Sequence, residues 1–97
     1  MRLPARRGRE QPGTRYAVIV QADELLALST AIVAPTSRGA APATFRPQVD
    51  INGQATRVLI EQLRAVDVER LGDLAGRLSA AEQRAVDEAL VLVLGLT

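Results

Sequence analysis

Three polar residues stand where buried strands are predicted to begin or end, and their types suit chemistry at a phosphate group. Arg15 directly precedes a β-branched run, and its planar, permanently charged guanidinium matches phosphate oxygens. Thr36 follows Pro35 and offers a hydroxyl donor. Glu61 follows a predicted strand and offers a carboxylate base, a role that calls for a raised pKa.

Each of these residues also has a purely structural interpretation. Arg15 is typical of a solvated strand flank, and Thr36 of a turn residue whose hydroxyl bonds to local backbone. Glu61 could form an ion pair with Arg57 or Arg64. Spacing alone leaves both interpretations open.

The composition excludes several classes of protein. The chain has no cysteine and no histidine, which removes disulfides, thiolate sites, zinc chemistry and histidine acid–base catalysis. The glycine spacings of phosphate-binding loops are absent, so a nucleotide cofactor has no support. We therefore expect neither a metal nor a cofactor.

Charge is unevenly distributed along a chain of 97 residues, a length that suits a single domain. All twelve basic residues are arginine, which codon bias could explain; residues 1–64 carry a balance of +4 and residues 65–97 one of −3. The basic part could face phosphate, but a net charge of +1 does not by itself indicate nucleic-acid binding.

No apolar run reaches the length of a signal peptide or membrane span, so a cytoplasmic location is expected.

Hydrophobic patterning predicts short strands and few helices. Residues 1–14 show no periodicity and are expected to form an arm, while Asn52-Gly53 predicts a type I′ hairpin turn. The predicted strands cover residues 16–20, 30–34 (ending at Pro35), 45–51, 54–60 and 74–78, and short helices are predicted over 23–28 and 64–72.

The clearest helix lies at the C-terminal end. Ser79 and Glu82 form a capping-box pattern, and Gly95 is a natural residue to end the helix that runs to about Leu94. The predicted fold is therefore mainly β with helices (α+β): one domain over residues 1–97, with a small SH3-like β-barrel over 15–78 and a helix over 79–95.

Four segments together resemble the MazF/PemK family of toxins from toxin–antitoxin systems. They are REQPGTRYAVIVQ (residues 9–21), IVAPTS (32–37), EQLRAVD with RLG (61–72), and GRLS leading into a leucine-rich end (76–94). Tyr16 stands where the family usually has proline, and Glu61 where aspartate is common. The family's opening strand, which carries a tryptophan, has no counterpart in this sequence, so either the true start lies upstream or the chain lacks its first strand.

The resemblance implies a MazF/CcdB-type barrel that cleaves single-stranded RNA without metal, through attack by the substrate's own 2′-hydroxyl. Arg15 would stabilise charge on the phosphorane, Thr36 would hold a phosphate oxygen, and Glu61 would be the base. The residues implied to bind substrate are Gln11, Ser37, Gln62 and Arg64.

The resemblance also implies protein partners: a homodimer, inhibited by a cognate antitoxin, with no membrane association. The apolar C-terminal end favours the dimer; it contains Leu90, Leu92, Val93, Leu94 and Leu96. Two alternatives stay open, a gyrase-inhibiting toxin of the CcdB type and a degenerate toxin that only binds RNA or antitoxin. A missing first strand would favour the binding-only toxin.

Overall fold

The fold is a curled antiparallel sheet that forms a half-barrel, with one helix following it. A computed structural model describes residues 7–11 (backbone only), 15–22, 25 and 28–96. The strands are β1 (Arg7–Gln11), β2 (Arg15–Ile19), β3 (Thr30–Ser37), β4 (Gln48–Ile51), β5 (Gln54–Val58), β6 (Arg64–Asp67) and β7 (Leu74–Arg77), followed by helix α1 (Ala80–Leu94). Two short 3-10 helices cover Ile60–Gln62 and Val68–Arg70. This architecture confirms the predicted mainly β fold class with a C-terminal helix.

The sheet runs in the order β4-β5-β3-β2-β1-β7, and β6 adds to β3 beside that path. β3 is the hub, because it pairs with β2 on one side and with β6 and then β5 on the other. The predicted stop at Pro35 is wrong, since β3 continues to Ser37. Pro35 lies between the last β6 pair, at Val33, and the first β5 pair, at Thr36, where a missing backbone N–H is tolerated.

The segment predicted as an arm contains a strand. β1 pairs with β2 from Arg7↔Ile19 to Gln11↔Arg15, and also with β7, with a register shift after Gly8. A strand does precede Arg15, so the alternative that the chain lacks its first strand is wrong. Its sequence, RGREQ, carries no alternation of apolar residues, and backbone pairing on both sides forms the strand instead.

The helix predicted over residues 64–72 is also wrong. Residues Arg64–Asp67 form β6 against β3, and Val68–Arg70 form a 3-10 helix. Val66, Val68 and Leu71 cover a small core on one sheet face, and a strand's two-residue period puts Val66 there. The helix predicted over residues 23–28 lies mostly outside the described residues.

The predicted hairpin turn, the last strand and both ends of the C-terminal helix are confirmed. Asn52 and Gly53 have φ angles of 53° and 79°, as a type I′ turn requires, and the strand predicted over 74–78 is β7. At the start of α1, Ser79 and Glu82 form the capping box, and Gly95 ends the helix with φ 66°. Glu82 Oε2 also accepts the Asp50 backbone N–H at 2.7 Å, which ties the helix start to the edge strand β4.

The main core lies between the sheet and α1. It contains the buried residues Val18, Val20, Ala34, Val49, Ile51, Val58, Ile60, Val86 and Ala89. The far end of the helix is left exposed, with Leu92, Leu94 and Leu96 at 55%, 53% and 68% exposure. No helix in the described part of the chain is long and apolar enough to cross a membrane.

Candidate active site

Arg15 and Thr36 are brought together at one end of the sheet. Arg15 opens β2 and is exposed, while Thr36 lies near the end of β3 and is half-buried. The Thr36 hydroxyl donates to the backbone carbonyl of Tyr16 at 2.8 Å. This bond joins the end of β3 to the residue next to Arg15, so the backbones of Arg15 and Thr36 lie at the same end of the sheet.

Two of the residues implied to bind substrate lie beside this pair. Gln11 of β1 is the register partner of Arg15. Extending the β2–β3 register by two residues from Ala17↔Pro35 places Ser37 opposite Arg15 on the other side. Gln11, Arg15, Thr36 and Ser37 thus belong to three neighbouring strands, β1, β2 and β3, at the same sheet end.

Positive charge is concentrated around this end. Ser37 faces Arg57 across the β3–β5 pairing, and Arg38 follows Ser37 directly. With the exposed Arg15, three arginines belong to this end of the sheet, together with the hydroxyl-bearing Thr36 and Ser37. Guanidinium and hydroxyl groups at this density suit a phosphodiester, and guanidinium groups also stabilise additional charge developing on it.

The Thr36 hydroxyl does not bond to local backbone, as the structural interpretation of its sequence position had it. Its acceptor is the backbone of a neighbouring strand, twenty residues earlier, rather than local backbone. A hydroxyl has one proton, which here goes to Tyr16 O. To donate to a phosphate oxygen, the Thr36 hydroxyl must rotate away from that carbonyl.

The remaining predicted residues lie on the segment after β5. Glu61 and Gln62 belong to a 3-10 helix rather than to the end of a strand, and both are exposed. The Leu59 N–H donates to Pro35 O at 2.9 Å, which holds this segment beside β3. Arg64 lies in β6 opposite Val33, three residues before Thr36 and thus about 10 Å along the strand.

Glu61 forms an ion pair, but its partner is Arg46 instead of Arg57 or Arg64. Nε and Nη2 of Arg46 donate to Glu61 Oε2 at 3.0 and 2.7 Å. These hydrogen bonds from Arg46 hold the pKa of Glu61 below its ordinary value, so the raised pKa expected of a base is wrong. The arrangement favours the ion-pair interpretation of Glu61.

The structure adds a cleft that sequence reasoning missed. It has a volume of about 270 Å³ and is lined by Tyr16, Arg38, Ile51, Asn52, Gln54 and Thr56. Asn52 Nδ2 donates to the Tyr16 hydroxyl oxygen at 2.7 Å, and Arg38 Nη1 donates to Gln54 Oε1. The only available sequence signal was Tyr16 itself, the single tyrosine, at a position where the family usually has proline.

Comparisons with known proteins first define the class of fold. The structure superposes on the Mycobacterium tuberculosis toxin MazF-mt6 with a TM-score of 0.81 at 20% identity, covering 96% of this chain and 98% of that chain. It matches a chain of a MazE–MazF crystal structure from Deinococcus radiodurans with a TM-score of 0.77 at 18% identity, covering 92% of each chain. At these identities the matches establish a MazF-like fold.

Sequence relatives then define the family. The family model for PemK-like, MazF-like toxins of type II toxin–antitoxin systems matches residues 1–94. An endoribonuclease MazF of Staphylococcus epidermidis is 35% identical over 92% of this chain and 80% of its own length. A Mycobacterium tuberculosis protein named as a toxin is 38% identical over 95% of this chain and 87% of its own length. The chain therefore belongs to the PemK/MazF-like toxin family.

Proposed function

We propose that this chain is the toxin of a toxin–antitoxin pair and cleaves single-stranded RNA without a metal ion. The observation that carries the proposal is the Thr36–Tyr16 hydrogen bond, which joins the strand ends that carry Arg15 and Thr36. Membership of the toxin family and 35% identity to an endoribonuclease support the choice of RNA as substrate.

In the proposed reaction the 2′-hydroxyl oxygen of RNA attacks the adjacent phosphorus. A bond forms between O2′ and phosphorus, and the bond from phosphorus to O5′ breaks, leaving a 2′,3′-cyclic phosphate and a 5′-hydroxyl. The O2′ proton passes to solvent water, and O5′ takes up a proton from solvent. The reaction needs no activated water, so a site without histidine can support it.

Arg15 supplies most of the stabilisation in this proposal. Its guanidinium is exposed at the strand end and permanently charged, so it can neutralise the negative charge that grows on the phosphorane oxygens and donate to O5′. Thr36 contributes a hydroxyl to one phosphate oxygen after rotating away from Tyr16 O. Gln11 and Ser37, on the strands to either side, are proposed to bind the flanking RNA.

Glu61 is assigned a positioning role. A base works best when its pKa lies near the working pH, whereas Arg46 lowers the pKa of Glu61. The ion pair instead joins the irregular segment between β3 and β4, which contains Arg46, to the 3-10 helix after β5. Gln62, the last residue of that helix, and Arg64, at the start of β6, are proposed to contact RNA farther from the cleaved bond.

The proposed partners follow from the same family. One structural neighbour is a mycobacterial endoribonuclease in complex with its cognate antitoxin, with a TM-score of 0.83 at 16% identity, covering 100% of this chain and 98% of that chain. We propose that this chain also has an antitoxin and that it forms a homodimer through the exposed apolar end of α1. We further propose that it acts in the cytoplasm, where mRNA is found.

The presence of β1 removes the feature that favoured a degenerate, binding-only toxin.

The test is cleavage of single-stranded RNA by the purified chain with a metal chelator present. Wild type should cleave, Arg15→Ala should lose at least about a hundredfold in kcat, and Arg84→Ala should match wild type. Arg84 is the control because it is an exposed arginine on α1, away from the sheet end. An inactive wild type, or Arg15→Ala with wild-type activity, would overturn the proposal.

A further inference from the structure

The cleft bordered by Tyr16 has the size and the lining of a small binding site. Its volume of about 270 Å³ is just below the range of about 300–1,000 Å³ that is typical of pockets for drug-sized ligands. It therefore suits one ring system rather than a whole cofactor. Its lining combines one aromatic ring, two side-chain amides, one guanidinium, one hydroxyl and one aliphatic side chain.

Tyr16 is held so that its ring borders this cleft. The ring is half-buried and packs against the main core, which fixes one part of it. At its tip, the hydroxyl oxygen accepts a hydrogen bond from Asn52 Nδ2 at 2.7 Å. Asn52 is itself fixed by the tight turn, where its φ is 53° and the Gly53 N–H donates to Asp50 Oδ1 at 2.8 Å. The ring and the amide are thus set in place before any ligand arrives.

These groups match the chemistry of a nucleobase. Bases stack on aromatic faces, and amides donate to and accept from the polar edges of bases. Arg38 adds a positive charge, and none of the described residues that line the cleft is acidic. A neutral, flat heterocycle attached to a phosphate fits this combination better than an acidic or an aliphatic ligand would.

The cleft also lies at the right place along the proposed substrate. Tyr16 follows Arg15 directly, and its backbone carbonyl accepts the Thr36 hydroxyl. We propose that Tyr16, Asn52 and Gln54 bind one base of the RNA next to the cleaved phosphate, and that they set the sequence preference at that position. This inference rests on the proposed ribonuclease function and names the residues that select its substrate.

The composition of the chain permits a direct binding test that does not depend on cleavage. Tyr16 is the only tyrosine and Phe45 the only phenylalanine, so each ring gives one assignable set of NMR signals. Short all-2′-deoxy oligonucleotides of each base lack the attacking hydroxyl and cannot be cleaved by the proposed reaction. At least one of them should shift the Tyr16 ring signals upfield and leave those of Phe45 in place, whereas an abasic oligonucleotide should shift neither.

Absence of a Tyr16 shift with every oligonucleotide would overturn the base site, as would an equal shift with the abasic one. Failure of wild type to cleave RNA while Tyr16 still responds to bases would instead overturn the ribonuclease function alone. The two failures are therefore distinguishable.

Variants then test the assignment of sequence preference. On a randomised RNA pool, Tyr16→Ala should lose preference at one position next to the cut and raise KM roughly tenfold or more, with a smaller effect on kcat. Tyr16→Phe keeps the ring and should retain stacking. Asn52→Gly keeps the turn and should weaken discrimination among bases. The control is Gln48→Ala, an exposed amide on β4 outside the cleft, which should behave as wild type. An unchanged preference in both Tyr16→Ala and Asn52→Gly would contradict the assignment.

Discussion

Arg46 clamps Glu61 through one carboxylate oxygen, with Nε at 3.0 Å and Nη2 at 2.7 Å from Oε2. The same arginine donates through Nη1 to Ala41 O at 3.2 Å, and its own carbonyl accepts from Arg57 Nη1 at 3.0 Å. Arg46 thus connects the irregular segment before β4, strand β5 and the 3-10 helix. Its partner Glu61 is better suited to support the site than to move protons.

The variant Glu61→Gln distinguishes a catalytic base from an ion-pair partner of Arg46. We expect cleavage to stay within a few-fold of wild type and the free energy of unfolding to fall by about 0.5–1 kcal/mol, because a partly exposed ion pair is lost. Denaturant unfolding and initial cleavage rates measure the two effects. Arg46→Gln should cost a similar stability, and the double variant should lose less than the sum. A loss of a hundredfold or more in kcat without loss of stability would instead identify Glu61 as the base.

The ion pair should also leave a signature in the pH dependence of stability. Because Arg46 lowers the folded-state pKa of Glu61, the unfolded state takes up the proton first as the pH falls. The contribution is therefore complete above the ordinary value of 4.5 and is lost as pH falls through the lowered one. The difference in unfolding free energy between wild type and Glu61→Gln should be constant near neutrality and shrink in acid. A difference that grows as the pH falls would contradict the assignment.

Thr36→Val tests the link between β3 and the Arg15 segment. Valine keeps the shape but removes the hydroxyl, which leaves Tyr16 O without its donor and should cost about 1 kcal/mol of stability. We expect kcat to fall by roughly tenfold to a thousandfold, since a phosphate contact is lost as well. Thr36→Ser restores the hydroxyl and should recover most of both. Equal activity of the valine and threonine forms would show that this hydroxyl has no part in cleavage.

The exposed end of α1 predicts self-association. Leu92, Leu94 and Leu96 are each more than half exposed, and large apolar side chains left exposed at one end of a small chain indicate an interface. Sedimentation at micromolar concentration should give twice the chain mass of 10.4 kDa. Leu94→Glu should give the monomer with its circular dichroism unchanged, while Ala81→Glu, at the other end of the helix, should remain dimeric. A monomeric wild type would contradict the prediction.

Features controlled by neighbouring residues could be predicted from the sequence. The Asn52-Gly53 turn and the Ser79–Glu82 capping box each follow from a few adjacent residues, and both are confirmed. Strands β1 and β6 were missed because pairing partners distant along the chain stabilise them, while their own residues are mostly polar or resemble a helix. A strand formed by pairing on both edges needs little hydrophobic pattern of its own.

The same limit applies to the candidate active site: features set by neighbouring residues could be predicted, and contacts between distant residues could not. Arg15 and Thr36 could be selected by type and by their position at strand ends, since a sheet gathers such ends. The partner of Glu61 lies 15 residues away in an irregular segment, and Asn52 lies 36 residues from Tyr16. No local pattern links residues at those separations, so only the folded sheet could reveal the Arg46–Glu61 ion pair and the cleft at Tyr16.

The most direct test of the central claim uses a substrate with a single altered atom. A short single-stranded RNA carrying one 2′-deoxy nucleotide on the 5′ side of the cleaved phosphate lacks the proposed nucleophile at that bond alone. With a metal chelator present, purified wild type should cut the all-RNA strand to a 2′,3′-cyclic phosphate and a 5′-hydroxyl, and should leave the substituted bond intact. Cleavage of the substituted bond, or a 5′-phosphate product, would contradict attack by the 2′-hydroxyl and with it the proposed function.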